Sequence, residues 1–167
     1  MTSTGGGHPA SAVVREATTA DAAALVELRS LMFQAMGLPA DAVAEPAWRL
    51  ASRAWFVGRV EAPEVRVVVA DVAGQVVSAA VGEVTAVIPG PNAPNGRVGL
   101  ISNVATRPTH RRLGLAAACT DDLLHWFRHD TDVTRVDLFA TPGGARLYSP
   151  RGFRARGFEG MCLRVPR

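Results

Sequence analysis

Apolar positions in the first hundred residues switch between the period of a helix and the period of a strand. Leu25, Leu28 and Met32 recur at helical spacing. Valine-rich runs with two-residue alternation follow, and an Ala73-Gly74 turn between them indicates an antiparallel hairpin. The predicted elements are a strand over Val13–Ala17, a helix from Thr18 or Thr19 to Met36, a helical segment from Asp41 to about Arg59 with a start near Pro46, strands over Val65–Asp71, Gln75–Ile88 and Arg97–Thr106, and a surface loop over Pro89–Gly96.

The second part of the chain has a strand-helix-strand order, which predicts a right-handed crossover with its two strands parallel. A short helix should end at Ser149, because the residue before a proline avoids the helical region. The pattern therefore predicts an α/β fold, with helices packed on a sheet of mixed direction. The predicted elements are a helix over Gly114–His129 with an inward stripe of Ala116, Thr120, Leu123, Leu124 and Phe127, a strand over Val133–Thr141, a short helix from Gly143 to Tyr148 and a last strand over Phe158–Val165.

The composition is that of an ordinary globular protein. Of its 167 residues, 48% are hydrophobic and 20% charged, and this length predicts a single domain over 13–167. The start is rich in glycine, serine and threonine, which predicts a flexible tail over residues 1–12. No apolar stretch is long enough for a membrane span, and the start lacks the features of a signal peptide, so a cytoplasmic location is expected. Cys119 and Cys162 are too few and too far apart for a disulfide framework or a metal site, and both are predicted to pack in the core.

All basic residues of the chain are arginines, and the net charge is +3. They are spread along the sequence with no aromatic residues between them, so nucleic acid is not the expected partner. Three of them, Arg107, Arg111 and Arg112, lie close to the segment Leu113-Gly114-Leu115-Ala116, where the predicted strand gives way to the helix. Helix starts carry backbone N–H groups without partners and bind phosphate. An ordinary arginine-rich helix start is the alternative interpretation.

Arg111-x-x-Gly114-x-Ala116 resembles the pyrophosphate-binding motif (Arg/Gln-x-x-Gly-x-Gly/Ala) of the GNAT superfamily of N-acetyltransferases. The flanking segments are also similar to that family in order and spacing, and the similarity covers residues 97–153. Two positions depart from the family pattern: Leu113 replaces a common glycine or basic residue, and Pro150-Arg151 follows Tyr148 where the family usually continues the helix. The flanking segments are Asn103-Val104-Ala105-Thr106 with Pro108, Leu138-Phe139-Ala140-Thr141, Leu147-Tyr148 and Gly152-Phe153.

The resemblance implies a mostly antiparallel sheet with one splayed parallel pair, and acetyl-CoA as cosubstrate. It places the CoA pyrophosphate on the backbone N–H groups of Leu113 to Ala116, next to Arg111 and Arg112. It also implies that Asn103, Val104, Ala105 and Thr106 face the pantetheine, with Thr141 on the neighbouring strand. The simpler alternative is that these strand residues only continue the sheet.

The resemblance further implies direct transfer of the acetyl group to a primary amine, with Tyr148 as proton donor to the leaving thiolate. The base is less defined, because the strand Val98–Thr106 holds no carboxylate. Glu83 on the preceding strand is the best candidate, Glu45 and Asp71 are weaker ones, and a solvated edge carboxylate with water as base is the alternative.

The acceptor is a small-molecule or peptide amine that the sequence does not identify. Trp48, Trp55 and Phe56, with Met32 and Met36, lie in helices on the acceptor side of this family's cleft but are predicted to belong mainly to the core. A homodimer is compatible with the sequence. The alternatives are a non-catalytic acyl-CoA-binding regulator and, third, a nucleic-acid-binding domain.

Overall fold

The computed structural model describes residues 11–157, 160–163 and 165. Its five strands form one sheet in the order of the chain, with antiparallel neighbours except for the last pair, which is parallel. The predicted α/β class and the parallel crossover are therefore confirmed. The strands are β1 (Val13–Glu16), β2 (Val65–Val72), β3 (Gln75–Ala86), β4 (Arg97–Thr106) and β5 (Val136–Leu138).

Helices cover both faces of this sheet. The predicted second helical segment is divided at Glu45, because Pro46 begins a new helix and Glu45 accepts a hydrogen bond from the N–H of Ala47. The helices are α1 (Ala22–Ala35), α2 (Ala40–Ala44), α3 (Pro46–Arg59), α4 (Leu115–His129) and α5 (Ala145–Tyr148).

Two apolar layers stabilise the fold because the valines of the central strands alternate between the two faces. Val67, Val69 and Val81 pack under α1 and α3, whereas Val68 and Val77 pack under α4. Four residues of the predicted α4 stripe are buried and Ala116 is half-buried. Leu115, Cys119 and Trp126 of α4 are also buried, so its apolar face is wider than the predicted stripe.

The first strand is tied to the start of α1 by an ion pair. Arg15 Nη1 donates to Asp21 Oδ2 at 2.8 Å, and the backbone N–H of Thr18 donates to the same oxygen at 2.8 Å. These hydrogen bonds hold the pKa of Asp21 below its usual range, and the bond from Arg15 has the largest effect. Asp21 is only 8% exposed.

Helix α4 approaches the sheet closely at two glycines. A Cβ on Gly82 would lie 3.0 Å from a methyl carbon of Leu123, and one on Gly99 would lie 2.7 Å from the ring of Phe127. Both glycines therefore mark a close approach of the helix to the sheet backbone. Side chains at either position would force α4 away from β3 and β4.

A bulge in β4 separates it from β5. Val81 of β3 faces Ser102 and Ala79 faces Ala105, so β4 has one residue more than β3 in this interval. Asn103 takes up the difference with a left-handed φ of 52°. Because β5 pairs with β4 only from Gly99 to Ile101, the two strands diverge beyond that point.

Three predictions about the second half need correction. The strand predicted over Val133–Thr141 is only three residues long, because the chain leaves β4 at the bulge. The described part of the predicted last strand, residues 160–163 and 165, forms no strand, and the rest of it lies outside the described residues. Cys162 is exposed rather than packed in the core. Of the predicted tail, residues 1–10 lie outside the described residues.

Candidate active site

The divergence of β4 and β5 opens a cleft with a volume of about 910 Å³. One side is formed by Ile101–Thr106 of β4 and the other by Phe139–Thr141, while α1, the start of α4 and α5 close its ends. Arg111, Arg112 and Arg146 line it, and none of its described lining residues is a carboxylate. Its shape and charge suit an elongated ligand that carries phosphate groups.

The turn before α4 presents backbone donors to this cleft. Arg112 and Gly114 both have left-handed φ angles, of 62° and 77°. In the described part of the chain, the N–H groups from Arg112 to Ala117 donate to no protein acceptor, and the first helical bond is from Ala118 to Gly114. Such a row of free N–H groups at a helix start is a phosphate cradle. The residues present therefore fit the pyrophosphate of CoA.

Not every residue of the predicted cradle contributes a side chain to the cleft. Arg111, Arg112, Gly114, Leu115 and Ala116 line it, but the Leu113 side chain is 65% exposed and does not. Leu113 occupies a position where the turn uses only the backbone, so its departure from the family pattern leaves the turn intact.

The open edge of β4 is the second part of the cleft. Asn103, Val104, Ala105 and Thr106 all line it, beyond the last pairing with β5. An extended chain with amide groups can add to such an edge as a strand does. On the facing side, Thr141 lines the cleft and accepts the N–H of Gly144 through its backbone oxygen at 2.9 Å, which starts the turn into α5.

Tyr148 closes the cleft from α5. It is 8% exposed, its ring packs edge-to-face on Phe153 with centroids 5.8 Å apart, and its burial raises the pKa of the hydroxyl. The phenol therefore stays protonated at neutral pH and can donate a proton or a hydrogen bond.

The departure at Pro150-Arg151 leaves Tyr148 held firmly in place. Helix α5 ends at Tyr148, as the proline predicts, and a separate 3₁₀ turn over Ser149–Arg151 follows it. Arg151 donates to both carboxylate oxygens of Asp121 on α4, at 2.6 and 2.8 Å, and to the backbone oxygen of Leu147 at 2.6 Å. These bonds join α5 to α4.

A second cavity, with a volume of about 410 Å³, lies between α1, α3 and the sheet. Glu83 of β3 lines it, together with Arg29 of α1, and Asn103 lines both this cavity and the cleft. The bulge residue therefore borders both spaces. Glu83 is not part of the cleft itself. The remaining lining residues, all from α3, are Trp48, Ala51, Ser52, Trp55 and Phe56.

Sequence reasoning missed Arg29 and misplaced several apolar residues. Arg29 donates through Nη1 to Asn103 Oδ1, across 74 positions of sequence, which no local pattern could indicate. Of the residues assigned mainly to the core, Phe56 alone is fully buried. Met32 and Met36 line the cleft, and Trp48 and Trp55 line the second cavity.

Comparison with known sequences decides the family. A family model described as acetyltransferase (GNAT) matches residues 24–153. The chain belongs to the GNAT acetyltransferase family. Members of this family use acetyl-CoA as cosubstrate, and the cleft carries the free N–H groups and arginines that its phosphates require. No curated protein sequence matches the chain.

Solved structures share the fold at low sequence identity. A predicted acetyltransferase from Clostridium acetobutylicum, determined with acetyl-CoA, is 21% identical with a TM-score of 0.80 over 92% of this chain and 96% of that one. A GCN5-related N-acetyltransferase from Ralstonia eutropha JMP134 is 22% identical with a TM-score of 0.80 over 92% and 99%. An aminoglycoside acetyltransferase from an uncultured soil metagenomic sample is 17% identical with a TM-score of 0.67 over 94% and 99%.

Within the ranges that the structure describes, no helix is both long enough and apolar enough to cross a bilayer, and no three His, Cys, Asp or Glu side chains are grouped as metal ligands.

Proposed function

We propose that this GNAT protein is an N-acetyltransferase that transfers the acetyl group of acetyl-CoA directly to a primary amine, with both substrates bound at once. The observation that carries the proposal is the position of Asn103, which lines both the arginine-lined cleft and the second cavity. A thioester in the cleft and an amine in the cavity would meet at the bulge. Direct transfer requires such a meeting point.

The cleft residues would hold the cosubstrate by two kinds of backbone contact. The free N–H groups from Arg112 to Ala117 would bind the pyrophosphate, with Arg111 and Arg112 adding charge. The open edge of β4 from Asn103 to Thr106 would pair with the pantetheine amides, and the N–H of Val104 would polarise the acetyl carbonyl. Thr141 would line the opposite side of the cleft.

When bound, acetyl-CoA supplies an activated acetyl group, so that a C–N bond to the amine forms as the C–S bond breaks and the sulfur leaves with the electron pair. Tyr148 would donate its hydroxyl proton to that sulfur and regain one from solvent. The attacking nitrogen must be a neutral amine, and after the attack it releases a second proton to solvent as the amide forms. Glu83 would accept the proton of the incoming ammonium, directly or through water, because its carboxylate lines the cavity that Asn103 joins to the cleft.

A thiol-release assay tests this proposal. The protein is incubated with acetyl-CoA and a panel of primary amines, free CoA thiol is measured, and acetylated products are identified by mass spectrometry. Calorimetric titration with CoA runs in parallel. Amine-dependent thiol release supports the enzyme. Saturable CoA binding with no release for any amine would instead support a non-catalytic acyl-CoA-binding regulator, and absence of CoA binding would overturn both.

A further inference from the structure

Asn103 has a backbone conformation that an L-residue adopts only at a cost. Its φ is 52°, in the left-handed region, at the point where Asn103 and Val104 together stand against the single position of Ala80 on β3. Asparagine enters this region more readily than most residues, but extended backbone is the ordinary conformation within a strand. A left-handed residue in such a place persists because surrounding contacts hold it there.

Two hydrogen bonds hold the side chain of Asn103. Its Oδ1 accepts from Nη1 of Arg29, and its Nδ2 donates to Oγ of Ser102 at 3.0 Å. The bond to Ser102 is local, because that residue precedes Asn103 on the same strand. Arg29 belongs to α1, which packs across the sheet. Its bond therefore fixes the bulge relative to another element of the fold.

Arg29 has little else to bind. Among the described residues it forms no ion pair, and its buried Nε has no hydrogen-bond partner. Glu83 lines the second cavity with it but does not pair with it. The guanidinium carbon lies 4.8 Å from the ring centroid of Phe33, which orients the group. A partly buried charge without a counter-charge stabilises a fold poorly, so its position calls for another explanation.

The peptide group that follows Asn103 belongs to the cleft. Val104 lines the cleft, beyond the last pairing of β4 with β5. Because the peptide unit between Asn103 and Val104 is planar, the direction of the Val104 N–H follows from the backbone angles of Asn103. A change of Asn103 to extended backbone would turn this N–H. Hydrogen bonds weaken steeply when the donor is misaligned, so a donor to a reacting carbonyl must be held in direction.

We propose that Arg29 is a positioning residue for acetyl transfer. Through its hydrogen bond to Asn103, it holds the bulge in the left-handed conformation that directs the N–H of Val104 at the acetyl carbonyl of bound acetyl-CoA. Arg29 touches no reacting atom in this arrangement. The inference rests on the proposed function for the transfer step, but the hydrogen bond to the carbonyl can be measured without any acceptor.

The binding test compares acetyl-CoA with S-ethyl-CoA, a thioether in which a methylene replaces the carbonyl. A hydrogen bond to the carbonyl predicts that wild-type protein binds acetyl-CoA about 2- to 10-fold more tightly in calorimetric titrations without amine. Arg29→Met keeps a long apolar side chain but removes the donor. It should bring the ratio of the two Kd values to about one and leave the Kd for S-ethyl-CoA within about twofold.

Three outcomes of this titration would overturn the inference. They are equal binding of the two ligands by wild-type protein, an unchanged ratio in Arg29→Met, and weaker binding of both ligands in equal proportion, which would assign Arg29 a merely structural role. If Arg29→Met does not fold, Asn103→Ala removes the acceptor of the same hydrogen bond. This variant should also lose the preference for acetyl-CoA, and a preference of wild-type size would contradict the proposal.

Arg49→Met is the matched control. Arg49 of α3 donates to Ser30 and Glu27 of α1, is half-buried as Arg29 is, and lines neither cavity. Its loss should lower Tm but leave the ratio of the two Kd values at the wild-type value. A ratio that falls as far in Arg49→Met as in Arg29→Met would show that the effect does not depend on the contact with Asn103.

A second-site variant tests whether Arg29 acts through Asn103. Asn103→Gly adopts the left-handed φ without strain and has no side chain for Arg29 to hold. In that background, Arg29→Met should therefore leave the ratio of the two Kd values unchanged, although it abolishes the preference in wild-type protein. The same loss in both backgrounds would mean that Arg29 does not act through Asn103.

Acetyl transfer separates this inference from the proposed function. With an amine found by thiol release, Arg29→Met should lower kcat about 10-fold or more, with a smaller change in KM, because the misdirected donor stabilises the transition state less. A wild-type kcat in this variant would refute the positioning role while leaving acetyl transfer in place. Loss of the preference for acetyl-CoA in Arg29→Met, without acetylation of any amine by wild-type protein, would support the positioned N–H and overturn the proposed function.

Discussion

A valine at Gly114 should weaken acetyl-CoA binding more than it weakens the fold. Gly114 has a φ of 77°, and no atom lies within 4 Å of the position that its Cβ would take. The substitution therefore creates no collision, and its whole effect comes from the left-handed backbone. An L-residue in that conformation costs roughly 1–2 kcal/mol, and a β-branched residue at least that much.

The cost can be expressed in two measurable quantities. If the valine stays left-handed, the free energy of unfolding falls by that amount, which lowers Tm by about 2–8 °C for a chain of this size. If the turn relaxes in the free protein, acetyl-CoA must restore it on binding, and Kd rises about 5- to 30-fold. Each hydrogen bond to phosphate that is then lost adds roughly another 1.5–3 kcal/mol.

The chain provides a matched control at Gly74. It has a φ of 82°, also with no atom within 4 Å of its Cβ position, and it lies in the turn between β2 and β3 outside both cavities. Gly74→Val should lower Tm to a similar extent and leave the Kd for acetyl-CoA unchanged. Calorimetric titration and thermal unfolding of both variants give the comparison. A Gly114→Val protein with both wild-type Tm and wild-type Kd would refute the phosphate cradle, because the turn would then have relaxed without any loss of acetyl-CoA binding.

Three further predictions concern single groups. Tyr148→Phe should reduce kcat about 100-fold or more while leaving the Kd for acetyl-CoA unchanged, and a full kcat would show that the hydroxyl is not the proton donor. Asp21→Asn should cost about 1–3 kcal/mol of stability at pH 7. Because the folded-state pKa of Asp21 is depressed, this contribution to stability is present above about pH 4 and is lost as the pH falls through the folded-state pKa. In urea unfolding, the free energies of unfolding of the wild type and of Asp21→Asn should therefore converge in acid. A pH-independent difference would contradict that reasoning. A thiol reagent at pH 8 should modify the exposed Cys162 but not Cys119, because Cys119 is fully buried and burial raises its pKa to about 12. In denaturant both cysteines should react. Two reactive thiols in the native protein would contradict the buried position of Cys119.

Local features of the sequence were sufficient to predict most of the elements. Hydrophobic periodicity located the helices and the three long strands, since the period reports directly which face of an element is buried. The turn at Gly114 was predictable for a similar reason, because a small residue between a strand and a helix leaves backbone groups without partners. In the structure Gly114 has a left-handed φ, a conformation that glycine adopts without strain.

The tertiary structure decided which of these features share a site. Asn103 takes its left-handed φ only because β4 carries an extra residue against β3, and the resulting divergence from β5 opens the cleft and shortens the predicted strand. Arg29 reaches Asn103 because α1 packs across β4. Neither the bulge at Asn103 nor the contact between Arg29 and Asn103 corresponds to a periodic pattern in the sequence.

The sequence by itself therefore determined the order of strands and helices, the backbone donors before α4 and the single phenol that follows them. Its apolar residues could not reveal that Trp48 and Trp55 border a cavity, because periodicity indicates the inward face of a helix without saying whether the space beside it is filled. Only the packing of α1 and α3 on the sheet left that space open and kept Glu83 and Arg29 apart within it.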